Sequence, residues 1–255
     1  MLSYCAHIPH SPLLLPAISR GKFRQFKKMS QAVVRIRQDV RDRGCETLVL
    51  IGPHPSPHEA HFLNVAPRFS LSFETYANFS FRGHCPGDAA TAYRIRRGLD
   101  GIHPVRAITR ESLAGPEAAA AAQLVLPDQA LSVLPVSSSR TASLSQLHDF
   151  GKKLRDVLEG EAAKIAVVSL GDFSRTSSKN REDGRSLDRL LIQAVQEHNA
   201  DAVTNCGAKE AETFALAALR PLCILLGLLD GVRHEADILN YEQKYGVGML
   251  AARFV

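Results

Sequence analysis

Residues 47–58, TLVLIGPHPSPH, decide how the rest of the chain is read. Leu48, Val49, Leu50 and Ile51 form an unalternating run of large apolar or β-branched residues, too short for a helix. That is the pattern of a strand buried on both faces. Gly52 and Pro53 then stop it, since glycine permits turns that other residues resist and proline ends ladder hydrogen bonding. His54 is thereby placed just past the strand's C-terminal end, the edge at which open α/β sheets bind ligands. Pro53, Pro55 and Pro57 stiffen the loop, which suits a side chain that must keep one orientation toward a metal or a substrate. A structural histidine in a surface turn would carry the same local sequence.

Upstream, LSYCAHI at residues 2–8 reads as a first strand running into PHSPLLLP, where Pro9, Pro12 and Pro16 force an extended loop around His10. Between the two strands, residues 20–43 hold nine Lys/Arg against two Asp, a local concentration of charge in a chain of net +5. Phe26, Met29, Val33, Ile36 and Val40 recur there at steps of three and four, predicting an amphipathic helix with one apolar stripe on the core. Its length suits a crossover between parallel neighbours, which would bring His10 and His54 to the same sheet edge. No nucleic-acid motif or aromatic stacking platform accompanies the basic face, so it reads as a solvated exterior, with neither nucleic acid nor membrane as partner.

The 255 residues, 45% hydrophobic and 22% charged, fit one soluble domain. No run reaches the roughly 18 apolar residues of a membrane span, and no signal-peptide pattern opens the chain, so a cytoplasmic location is expected. Five scattered cysteines without a CxxC pair indicate neither a disulfide framework nor a thiolate zinc site.

Strand and helix patterns alternate along the remainder, which predicts an α/β fold. Residues 59–87 read as edge strands and loops, residues 88–99 as a helix capped by Asp88, and residues 115–125 as a helix with Pro116 in its first turn. Residues 130–136 and 164–170 (KIAVVSL) read as buried strands, separated by a helix that Ser143 opens and whose Leu147, Phe150, Leu154 and Val157 share a face. The second of these strands ends in GDFSR. Residues 176–185 (TSSKNREDGR) are polar and without apolar anchors, predicting a mobile lid, followed by a helix at residues 186–198. Helices near residues 208–218 and 221–229 read as largely buried, and residues 239–241 and 247–254 as strands around a Gly246 and Gly248 bend.

Two strand-end histidines plus one carboxylate would form the facial set used by non-heme Fe(II) enzymes. Spacing alone does not select the carboxylate among 26 acidic residues, although Glu242 in NYEQKYGVG has the most constrained setting.

The segments PHSPLLLP, LVLIGPHPSP, VVSLGDFS and NYEQKYGVG, in this order and at this approximate spacing, resemble the class III extradiol ring-cleavage dioxygenase superfamily. The resemblance is closest to its catalytic B-subunit branch and to the related Memo-like proteins, and it covers essentially the whole chain. It implies a three-layer α/β/α domain with a central mixed, mostly parallel sheet, Fe(II) held by His10, His54 and Glu242, and a small catecholic substrate met by O₂. Homo-oligomerisation or a partner subunit is compatible with it.

The departures carry equal weight. Ring-cleaving relatives have a proton-transfer histidine where this chain has Arg175, and a second histidine where it has LAG at residues 113–115. Arginine stays protonated near neutral pH and cannot take a proton as imidazole does, but it can hold a carboxylate or phosphate. His58, His61 and His84 are loop candidates to compensate. His7 is expected to pack or to orient the site from behind, and Asp172 and Ser174 to lie near the pocket. Three readings follow: an Fe(II)-dependent dioxygenase, a Memo-like metal-binding or partner-binding protein without turnover, and a hydrolase on the same scaffold.

Overall fold

All five residues of the central apolar run are buried, and so are all six of its counterpart at residues 165–170, because helices cover both faces of the sheet that contains them. The computed structural model describes residues 1–19, 21–126 and 131–255. In chain order, β1 (Leu2–Ile8) passes through 3-10 helices at Pro12–Leu14 and Lys22–Phe26 into α1 (Lys27–Asp42) and β2 (Thr47–Ile51). β3 (His61–Asn64), β4 (Arg68–Ser72), a 3-10 helix at Glu74–Tyr76 and β5 (Gly83–Pro86) precede α2 (Ala89–Gly98). β6 (Val105–Ile108) and β7 (Ser112–Ala114) precede α3 (Gly115–Leu124) and β8 (Ser132–Ser137). Then follow α4 (Leu144–Glu159), β9 (Ile165–Leu170), α5 (Arg181–Gln196), the short α6 (Ala200–Thr204) and α7 (Ala208–Thr213), and α8 (Leu219–Leu229). A hairpin of β10 (Ala236–Lys244) and β11 (Val247–Phe254) closes the order.

The protein is α/β, with an eight-stranded sheet in the order β10-β11-β1-β9-β2-β8-β3-β6 and a separate three-stranded sheet, β5-β4-β7. β1, β9, β2 and β8 run parallel to one another, and β11 joins β1 antiparallel. The period of two along each inner strand divides two cores. Val49, Ile51 and Val167 pack with α2, α4, α5 and α8, whereas Leu48, Leu50 and Val168 pack with α1 and α3 on the opposite face. The predicted stripe of Phe26, Met29, Val33, Ile36 and Val40 is buried in this second core.

Local signals account for several element ends. Asp88 accepts the Thr91 N–H at 2.9 Å at the start of α2, and Ser143 with Gln146 makes a capping box at the start of α4. The β10–β11 turn places Tyr245 and Gly246 at φ 54° and 76°, the paired left-handed residues of a tight hairpin.

Elsewhere the structure departs from the sequence expectations. β1 and β2 are not neighbours: β9 lies between them, with Val167 opposite both Cys5 and Val49. A crossover helix of this length can skip one strand, and nothing local reports which strand fills the gap. α5 begins at Arg181, inside the segment expected to be a lid. Glu182 and Asp183 favour a helix N-terminus, and buried Gly184 packs on Ser174 and Thr176. α7 is short and contributes no buried residue, in contrast to α8. Ala130 of the expected third strand and Arg20 of the basic segment lie outside the described residues. Among the described residues no helix is long and apolar enough to cross a membrane, and the five thiols are unpaired.

Candidate functional site

β1, β9 and β2 are parallel, so their C-terminal ends share one edge, and the residues just beyond them are His10, Asp172 and His54. At Pro9 the first strand turns away, and the extension of β9 takes its place against β11. Phe173 N–H donates to Gly248 O at 2.8 Å, Gly248 N–H to Ser174 O at 2.8 Å, and Thr176 N–H to Gly246 O at 2.7 Å. This antiparallel extension carries Arg175 opposite Val247.

The His10 and His54 rings face each other edge to face, with centroids 6.2 Å apart. His10 is buried and His54 exposed at the cleft mouth. The Asp172 backbone N–H donates to His10 Nδ1 at 2.9 Å, while the His10 backbone N–H donates to Asp172 Oδ1 at 3.2 Å. With Nδ1 accepting, neutral His10 carries its proton on Nε2. Burial holds the His10 pKa down to about 4, helped by the His54 and Arg175 charges. Asp172 moves the other way, to about 7, because burial outweighs the His10 N–H and the Arg175 guanidinium. Arg175 is exposed, its Nη2 3.9 Å from Asp172 Oδ2.

Glu242 sits on the edge strand β10 opposite Met249, and the pair faces the α1 side of the sheet. Its Oε1 is buried without a hydrogen-bond partner among the described residues. Burial raises its pKa against the pull of Lys244 and Lys28. The structure therefore brings His10 and His54 together but gives Glu242 no bond to either ring, and among the described residues no three His, Cys, Asp or Glu side chains close into a metal-ligand group.

Beside His54 opens a cavity of about 260 Å³, walled by Phe62, Arg110, Ser112, Leu113 and Glu117. The LAG stretch thus forms part of its wall. Gly52, expected to serve a turn, has no left-handed φ; its role is space, because a Cβ there would collide with Glu117 Oε1. Burial lifts the Glu117 pKa, and Glu117 and Asp172 both act on Tyr76, whose hydroxyl burial keeps protonated.

The remaining histidines separate by environment. His7 is fully buried behind the site, its Nε2–H donating to Gly171 O at 3.2 Å and its Nδ1 accepting from the Ser169 hydroxyl at 2.8 Å. Burial lowers its pKa to about 3. It braces the residue preceding Asp172. His61 stacks on Phe150 at 3.8 Å, a core packing role, and His84 lies exposed on β5 beside Ser70. His58 lines a separate cleft of about 720 Å³. Ser174 turns away from the cleft to Asp188. Glu117 and Tyr76 escaped the sequence reading; the signal for Glu117 was an acid at the start of an otherwise alanine-rich helix, a position usually explained by the helix dipole.

Chemically, the strand ends offer two facing imidazoles, the buried Asp172 and half-buried Glu117 carboxyl groups, both with raised pKa, and one exposed guanidinium, a set able to hold a cation, move protons and retain an anion. No family model matches the chain. Protein CA_C1420 of Clostridium acetobutylicum is similar, 20% identical over 267 residues that span 94% of this chain and 55% of that protein, so the chain spans about half of its relative's length. An uncharacterised Escherichia coli K12 protein, JW3007, has a similar structure, with TM-score 0.67 and 14% identity over 99% of this chain and 100% of that one, a likeness of fold.

Proposed function

We propose that this cleft is a divalent-metal site of the extradiol ring-cleavage dioxygenase kind, taking Fe(II) and a catecholic or related aromatic substrate with O₂, in a cytoplasmic protein. The observation that carries the reading is the pair of imidazoles, His10 and His54, facing each other across 6.2 Å on two strand ends of one sheet edge. Imidazole nitrogens and a carboxylate oxygen suit a first-row divalent ion, and the unpartnered Oε1 of Glu242 is a polar atom whose burial calls for a donor or a cation. When bound, such an ion supplies orientation of the substrate hydroxyls and stabilisation of their charge.

The chain's own residues would do the rest. His10 would ligate through Nε2 as the other neutral tautomer, its proton moved to Nδ1 with Asp172 Oδ1 3.3 Å away as acceptor, which requires giving up the Asp172 N–H bond to Nδ1. His7 and Ser169 hold the strand end behind it. Glu242 needs a side-chain shift to reach the imidazoles. Arg175, exposed at the rim, retains an anionic group. The same arginine supports a second reading, a Memo-like metal-binding or partner-binding protein without ring cleavage, because it cannot act as the base.

The experiment is anaerobic titration of the metal-stripped protein with Fe(II), followed by O₂ and a catechol panel. His10→Ala and His54→Ala are each expected to weaken metal binding at least about tenfold, the scale of lost metal-site contacts. Unchanged binding in both variants refutes the metal site, and metal binding without cleavage of any catechol selects the second reading.

A further inference from the structure

Resting on the catechol reading of the cleft, we propose that Glu117 is its proton acceptor, taking the hydroxyl proton of a ligand presented to His10 and His54. It does the work for which neither residues 113–115 nor residue 175 supplies a histidine. The placement comes first. Glu117 lies in the first turn of α3 and shares the wall of the 260 Å³ cavity with His54. Its carboxyl occupies the space left by the missing side chain of Gly52, on the loop that carries His54.

Availability is the second consideration. Asp172 is committed: its carboxylate accepts the His10 N–H and faces Arg175. Asp188 is committed to Ser174 and Tyr241 on the far face of the sheet. Glu242 is on the edge strand. Among the described residues Glu117 makes no ion pair, and its only hydrogen bond is with its own backbone N–H. Apolar walls from Phe62, Leu113 and Pro135 favour the neutral carboxylic acid, which brings its proton affinity closer to that of a ligand hydroxyl. Burial and the nearby Glu117 and Asp172 charges hold the Tyr76 hydroxyl protonated.

The step balances without an oxidant. The ligand O–H bond breaks, the proton forms the O–H of the Glu117 carboxylic acid, and the electron pair stays on the ligand oxygen as a phenolate. That charge faces the positive end of α3. The proton later returns from Glu117 to the product.

The test uses 4-nitrocatechol, whose anion is coloured, with the full chain loaded with Fe(II) and kept free of O₂. Absorbance reports whether the bound dye is ionised, and calorimetry in buffers of different ionisation enthalpy counts protons released. Below the pH at which the free dye ionises, wild type is expected to bind the anion with net release near zero, because Glu117 keeps the proton. In Glu117→Gln the anion band should vanish, or persist only with release near one proton per dye. Gly52→Ala, which retains the carboxyl but displaces its flexible end, should behave alike. Anion binding with near-zero release in Glu117→Gln, or release near one proton in wild type, overturns the role of Glu117 and leaves the catechol reading standing. Failure of wild type to bind the dye overturns both.

Discussion

Replacing Asp188 with alanine should be among the most destabilising single changes available near the site. Asp188 is fully buried on α5 and accepts three hydrogen bonds: Ser174 N–H at 2.9 Å, Ser174 O–H at 2.9 Å and Tyr241 O–H at 2.7 Å. Ser174 is itself fully buried, so Asp188→Ala strands two donors away from water, whereas the partly buried Tyr241 hydroxyl can find solvent. Each stranded buried donor costs about 1–3 kcal/mol. Two of them give a loss of about 2–5 kcal/mol after relief of the carboxylate's own desolvation, which is what raises its pKa. Asp188→Asn keeps an acceptor for the Ser174 N–H and fills the same volume, so its cost should be nearer about 1–2 kcal/mol. The assay is urea unfolding, reading the midpoint at constant m-value. Hydrogen exchange at Phe173 and Thr176 should rise as the strand extension bearing Arg175 loosens. A double-mutant cycle with Tyr241→Phe should give a coupling of about 1 kcal/mol. A loss below about 1 kcal/mol for Asp188→Ala, or an asparagine variant worse than the alanine one, would refute the hydrogen-bond account.

The other predictions concern chemistry and pH. With Glu117 as proton acceptor, Glu117→Gln should lower cleavage of simple catechols by the iron-loaded protein by about 10² to 10⁴, the contribution of a positioned acid/base, while Arg175→Ala changes it by less than about tenfold; a gain of that size in Arg175→His would show that the missing histidine is a deficit Glu117 does not fill. Acid stability follows from His61 and His7, both pushed down to about 3 by burial. Their unfolded counterparts take up protons below about pH 6.5, so stability should fall as pH drops from there toward 3, by up to about 1.4 kcal/mol per pH unit for each. His61→Leu should remove about half of that slope in urea titrations, and an unchanged slope would mean that His61 is protonated in the folded state.

Inner strands were legible because burial on both faces favours apolar runs, unbroken at residues 48–51 of β2 and interrupted only by Ser169 in β9, while β1, broken by Ser3 and His7, was marked by the proline that ends it. The amphipathic α1 and the caps at Asp88 and Ser143 were legible for the same local reason. The helix starting at Arg181, within the segment expected to be a loop or lid, was missed because polarity marks exposure on a helix as readily as in a loop, and Gly184 masked the helical pattern of α5. Arg181 to Arg185 look unstructured only until Thr176 and Ser174 are packed against them.

By itself the sequence determined that two histidines stand just beyond strand ends, since a proline after an apolar run stops a strand wherever it lies in the fold. Only the tertiary structure decided that β9 separates those strands, that its extension replaces β1 against β11, and that Asp172 thereby reaches His10. It also decided that Glu117 enters the cavity through the gap at Gly52 while Glu242 stays apart on the edge strand. Strand order and side-chain convergence are set by which faces bury most apolar surface together, a property of the assembled layers that no local stretch of chain encodes.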